Sequence, residues 1–137
     1  MTLSENFTLE EFTESSTARR LNIINEPSVS QITNLQHLCM KILQPVRDKL
    51  GQPIRVTSGY RSRQLNKAVG GAPRSQHMNG EAADIICSDN RELWRLMNEM
   101  IANGEIETGQ LIDEKNLRWI HVSLPTKRKR NQILHLL

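Results

Sequence analysis

The stretch Ser75-Gln76-His77-Met78-Asn79-Gly80-Glu81-Ala82-Ala83-Asp84 and the later Trp119-Ile120-His121-Val122-Ser123 supply two imidazoles and a carboxylate. That is the donor set a catalytic zinc ion takes when it keeps one coordination position for water. Asp84 stands inside an apolar run, Ala82 to Cys87, where a lone charge is costly to bury. It needs a cation, and spacing alone leaves open whether that is a metal or a nearby arginine. In Trp119–Leu124, alternation puts Trp119, His121 and Ser123 on one face and Ile120, Val122 and Leu124 on the other. The apolar trio takes the core, so His121 is expected on the opposite face, where a groove could lie. A structural or surface histidine satisfies the same pattern. His37, on a long helix, and His135, in the C-terminal tail, read as bystanders.

Other residues have chemistry to offer. Ser58-Gly59-Tyr60-Arg61 ends a strand with a glycine turn and presents an arginine suited to bidentate capture of a carboxylate. An ordinary surface arginine after a turn is the alternative. Glu114 is expected to end the strand beside the one carrying His121. A carboxylate beside zinc-bound water can act as general base, because the metal brings that water's pKa near neutral. Asp113 competes for the role, and alternation lets only one of the two face a site.

The elements that must bring these residues together follow from periodicity and punctuation. Thr8 with Glu11 three residues on is a capping box, flanked by Phe7 and Phe12 as staple and core residues. Ser15 to Leu21 suits a second short helix. From Val29 to Leu50, the set Ile32, Leu35, Leu38, Cys39, Ile42, Leu43, Val46 and Leu50 keeps helical spacing. That predicts one long helix, bent near Pro45 and stopped at Gly51. The β-branched alternation of Pro53–Ser58 predicts a strand. Arg61–Val69 suits a short helix or turn, Gly70–Pro73 a loop, and Ala82–Cys87 a second strand. Asp89 with Glu92 caps a helix reaching Ala102, closed by Gly104. Gln110–Ile112 and Arg118–Leu124 then form two strands joined around Lys115-Asn116. Helices first and a small, mainly antiparallel sheet with one helix inserted make an α+β fold.

Composition narrows the function classes. A chain of 137 residues, 37% hydrophobic and 24% charged, suits a single domain over 1–137 with one core and a basic tail from about 125. Aromatics are only 4%, which disfavours a base-stacking surface. No apolar run approaches the roughly 20 residues that cross a bilayer, so no membrane insertion is expected. The first residues lack the basic and apolar regions of a signal peptide. Cys39 and Cys87 look like small buried hydrophobes in a reducing compartment. The net charge of +3 owes much to Lys127-Arg128-Lys129-Arg130, read as a solvated tail, with nucleic-acid contact a weaker reading. A monomer that does not bind nucleic acid is expected.

Taken together, Ser58-Gly59-Tyr60-Arg61, Ser75-x-His77-x-x-Gly80-x-Ala82-x-Asp84 and Trp119-Ile120-His121-Val122-Ser123 resemble the zinc D-Ala-D-Ala carboxypeptidase family and its related phage endolysins. Asn6–Phe12 and Leu43–Arg47 resemble the family's small single-domain branch. The resemblance runs from about residue 6 to 124 and rests on the three motifs occurring in this order. It implies one zinc ion held by His77, Asp84 and His121, with Arg61 orienting the substrate. It also implies Ser75 and Gln76, with Tyr60 from the same turn as Arg61, as substrate-binding residues. The implied fold is the α+β domain shared with the hedgehog signalling domain. The implied activity is hydrolysis of peptidoglycan stem peptides, at D-Ala-D-Ala or L-Ala-D-Glu. Several branches carry an acid three residues before the last ligand, where this chain has Arg118. Glu114, in Gln110-Leu111-Ile112-Asp113-Glu114, resembles the base of the small branch, and the resemblance makes it the expected base. Arg118 also motivates the rival expectation of a zinc-containing module that binds cell wall or sits in a virion without turnover. A protein of this kind made without a signal peptide is expected to reach the wall with help, as by a holin.

Overall fold

The computed structural model describes residues 1–137. The chain opens with two short strands, β1 (Thr2–Ser4) and β2 (Phe7–Thr8), paired antiparallel. Helix α1 (Leu9–Thr13) starts at the expected capping box, where Glu11 Oε2 accepts the Thr8 backbone N–H at 2.7 Å. Phe7 and Phe12 staple that start, their rings 6.3 Å apart and both fully buried. Ser15 caps α2 (Ser16–Leu21) by accepting from the Ala18 N–H.

The long helix predicted over Val29–Leu50 is three pieces: α3 (Val29–Leu38), a π-helical turn (Cys39–Leu43) and α4 (Gln44–Leu50). Pro45 explains the break. It has no N–H to donate and its ring crowds the preceding turn. The chain widens there, with the Gln44 N–H reaching back to the Cys39 carbonyl. The apolar stripe survives the change of register, since Leu35, Leu38, Cys39, Ile42, Leu43 and Val46 are all fully buried.

Strand β3 (Arg55–Ser58) leads through the Gly59 turn to α5 (Arg63–Ala68), a 3₁₀ turn (Gln76–Asn79) and β4 (Ala82–Ile86). Helix α6 (Asn90–Ala102) begins at Asp89, whose Oδ1 accepts from the N–H groups of Arg91 and Glu92. Strands β5 (Gln110–Glu114) and β6 (Trp119–Ser123) follow, and β7 (Gln132–Leu136) ends the chain. The five-stranded sheet has the order β3-β4-β6-β5-β7, antiparallel except for the parallel pair β5–β7. This is the expected α+β architecture, with one strand more in the main sheet and the unexpected β1–β2 pair beside it. The segment read as a solvated tail zips along β5 as an exposed edge strand.

One face of the sheet is core. Ala83, Ile85, Leu111, Ile120 and Val122 pack with Phe12, Leu35, Ile42, Leu93 and Met97 in a cluster of 22 buried residues. Register fixes what the other face carries. Asp84 lies directly opposite His121, His121 opposite Ile112, and Trp119 opposite Glu114. Since side chains alternate, Asp84, His121, Ile112, Trp119 and Glu114 share the face away from the core.

Candidate metal centre and its cleft

Asp84 and His121 meet because they are cross-strand partners on the two central strands, and His77 is brought over them by the 3₁₀ turn. Gly80 ends that turn at φ +72, and a Cβ there would lie 2.4 Å from the Gln31 carbonyl oxygen. Only glycine allows so close an approach in that conformation. Gly59 is tight for a different reason: a Cβ would stand 2.6 Å from Phe12 Cα. This turn is pinned against α1 by the Tyr60 N–H donating to the Phe12 carbonyl at 2.7 Å.

The Gly59 carbonyl then sets the state of His77. It accepts from Nδ1 at 2.7 Å, so Nδ1 carries a proton and Nε2 is the nitrogen left to face Asp84. That Nε2 sits 3.4 Å from Asp84 Oδ1, and His121 Nδ1 sits 3.0 Å from the same oxygen. The three potential ligand atoms all lie within 4.8 Å of one another. Four-coordinate zinc, with bonds near 2.1 Å, needs ligand atoms about 3.4 Å apart. The donor set therefore fits such an ion in chemistry, tautomer and spacing. A divalent cation would take the place of the protons through which the imidazoles meet Asp84.

Asp84 pairs with an arginine and also faces the two imidazoles. Its Oδ1 faces the histidines, and its Oδ2 pairs with Arg61 Nη2 at 3.4 Å, with the carboxylate only 9% exposed. Burial favours the neutral acid, but hydrogen bonds from His121 and His77 outweigh it and hold the carboxyl well below the usual carboxylate range. Arg61 is anchored twice more, Nε donating to Ser58 Oγ at 3.0 Å and Nη1 to Asn66 Oδ1 at 3.2 Å. Three of the guanidinium's five N–H groups are used, and the others remain for a ligand oxygen.

These residues line a cleft of about 470 Å³ with Ser75, Gln76, Glu114 and Trp119. Glu114 enters it and Asp113 does not. Asp113 instead accepts from the Leu117 N–H at 2.6 Å and meets His135 Nδ1 at 3.0 Å. Trp119 donates from Nε1 to Glu114 Oε2 at 2.9 Å, which leaves Oε1 open. Nothing in the sequence reading singled out this indole, although its pairing opposite Glu114 follows from strand register. Gln76 donates from Nε2 to the Leu124 carbonyl, while its Oε1 is a buried side-chain acceptor without a partner. Tyr60, expected to touch substrate, does not join the cleft: its ring is 7% exposed within the hydrophobic core. The glycine turn sends Tyr60 inward against α1 and Arg61 outward. Arg118 is exposed at the start of β6 and is absent from the cleft wall.

A 44-residue stretch is 50% identical to the zinc D-Ala-D-Ala carboxypeptidase of Streptomyces albus G. That match covers 31% of this chain and 17% of the relative, so the chain spans well under two thirds of its length. The family model for Peptidase M15 matches residues 5–123, which include every residue of the His-Asp-His cluster, and the chain belongs to the Peptidase M15 family.

Proposed function

We propose that the chain is a zinc-dependent peptidase, folded as a single domain, that hydrolyses peptide bonds of peptidoglycan stem peptides. The observation that carries this reading is the convergence of three metal donors, an anchored arginine and one free carboxylate oxygen in a single cleft. When bound by His77, Asp84 and His121, zinc supplies a Lewis acid and a water acidified to near neutrality. Glu114 takes the proton of the attacking water on Oε1 and passes it to the leaving amine. Trp119 holds the other carboxylate oxygen so that Oε1 keeps its aim. Arg61 uses its two spare N–H groups to orient a substrate carboxylate or carbonyl. Ser75 contributes its hydroxyl to the wall, and Gln76 Oε1 accepts a substrate N–H, ending its unpaired state.

The bond cut is D-Ala-D-Ala at the stem terminus or L-Ala-D-Glu nearer the glycan, the second being the endolysin reaction. No helix is long and apolar enough to cross a membrane, and the reading places the protein's work at the cell wall, after delivery such as a holin provides. The test is digestion of muropeptides followed by mass spectrometry. Release of D-alanine identifies the carboxypeptidase, and separation of L-Ala from the rest of the stem identifies the endopeptidase. The reading fails if zinc-loaded protein releases neither product. The rival non-catalytic reading rests on Arg118, which lies outside the cleft, and predicts zinc and peptidoglycan binding without product.

A further inference from the structure

The C-terminal basic run is not uniform. Lys127, Arg128 and Arg130 are exposed, whereas Lys129 is half-buried and lines the cleft. Its placement is built rather than incidental. The Thr126 N–H donates to the Lys129 carbonyl at 2.9 Å, and the Lys129 N–H donates to Thr126 Oγ1 at 3.1 Å. Two residues on, the Asn131 N–H donates to the carbonyl of fully buried Thr108 at 2.7 Å. Asn131 Oδ1 in turn accepts from the Thr108 N–H at 2.8 Å. Arg130 turns the other way and pairs with Glu107. The loop is thus tied at both ends before β7 begins, and Lys129 is the member of the run directed at the site.

Facing the same cleft is Arg74, from the loop before the 3₁₀ turn. Among the cleft's cations, Arg61 is committed to Asp84, but neither Arg74 nor Lys129 enters an ion pair or a side-chain hydrogen bond. Against these three cations stand two carboxylates, Asp84, paired with Arg61, and Glu114, held by the neutral Trp119 indole, and a bound divalent cation would add further positive charge. Two unpartnered cations in one concave wall attract an anion. Lys129 also lies beyond residue 123, where the family match ends.

We propose that Arg74 and Lys129 form a second anion-recognition site. The preferred substrate is then a peptide with two carboxylates, one addressed by Arg61 and the other, on a side chain, by Arg74 and Lys129. This rests on the peptidase reading and specifies its substrate class. The experiment uses full-length zinc-loaded Glu114→Gln protein, to prevent turnover, and two stem peptides of equal length. One peptide carries a free side-chain carboxylate, and the other has it amidated. Calorimetry is expected to show the acidic peptide binding about tenfold more tightly, the scale of one partly screened, charge-assisted hydrogen bond. Lys129→Gln and Arg74→Gln, each placed on this background, should reduce that ratio towards one. Lys129→Glu should reverse it, and Lys129→Arg should keep it. Melting temperatures should not move, since neither side chain bonds to the protein. In the active enzyme, Lys129→Gln should raise KM for the acidic peptide alone, with kcat unchanged. No binding, or a ratio that the Gln variants leave intact, overturns the second site. If wild-type protein hydrolyses stem peptides in that case, the peptidase reading stands without it; if it hydrolyses none, that reading fails separately.

Discussion

Trp119→Phe is the sharpest test of how the proposed base, Glu114, is held. The substitution keeps a ring of similar position and removes the one N–H that reaches Glu114 Oε2 at 2.9 Å. A hydrogen bond to a charged group is worth about 1.5–3 kcal/mol when sheltered. Both partners here are part-buried and the cleft is open to water, so the lower end applies, about 1.5 kcal/mol or roughly tenfold. Without that bond the carboxylate samples orientations in which neither oxygen meets the attacking water. The expected result is a roughly tenfold fall in kcat on a muropeptide substrate, with KM changed less than twofold and zinc content unchanged. The control is a double-mutant cycle. If Trp119 acts through Glu114, adding Trp119→Phe to Glu114→Gln should cost nothing further. Wild-type kcat in the single variant, or full additivity in the double, would refute the reasoning.

Other outcomes follow from burial and conformation. Burial pushes the Cys39 thiol up to about 12, so it stays protonated and sheltered at pH 8.5, while Cys87 is partly exposed. Iodoacetamide should therefore add one group to native protein and two after denaturation, as read by intact mass. Gly80→Ala puts a side chain at φ +72 and a Cβ against the Gln31 carbonyl. It should lower stability by about 2–3 kcal/mol, seen in urea unfolding, and weaken zinc retention by moving His77. Zinc removal by a chelator should lower the melting temperature and leave far-ultraviolet circular dichroism nearly intact. The proposed metal ligands lie outside the 22-residue core, so readdition should restore both melting temperature and activity.

Much of this was legible in the residues. Capping signals placed α1 and α6, and alternation in Trp119–Leu124 put His121 on the face away from the core, as found. The charge stranded in Ala82–Cys87 marked Asp84 as a residue that required cations, and it has Arg61 and two imidazoles. What escaped was non-local. Strand β7 pairs in parallel with β5, some twenty residues earlier, and short polar-apolar alternation near a basic run gives no local sign of that partner. The π-helical turn keeps the apolar stripe in place, so periodicity alone does not reveal it. Tyr60 was misassigned because adjacency to Arg61 says nothing about direction after a glycine turn, and contact with α1 decides it. Lys129 was hidden among like charges, and only the ties between Thr108 and Asn131 separate it from its neighbours.

The central claim is a division of labour, in which His77, Asp84 and His121 hold the metal and Glu114 moves the proton. The most direct measurement compares wild-type and Glu114→Gln protein, assaying zinc content and muropeptide products in the same samples. Both proteins should carry one zinc per chain, with cleavage at least a hundredfold lower in the variant. Equal cleavage by the two proteins, or wild-type protein that cleaves without retaining zinc, would contradict it.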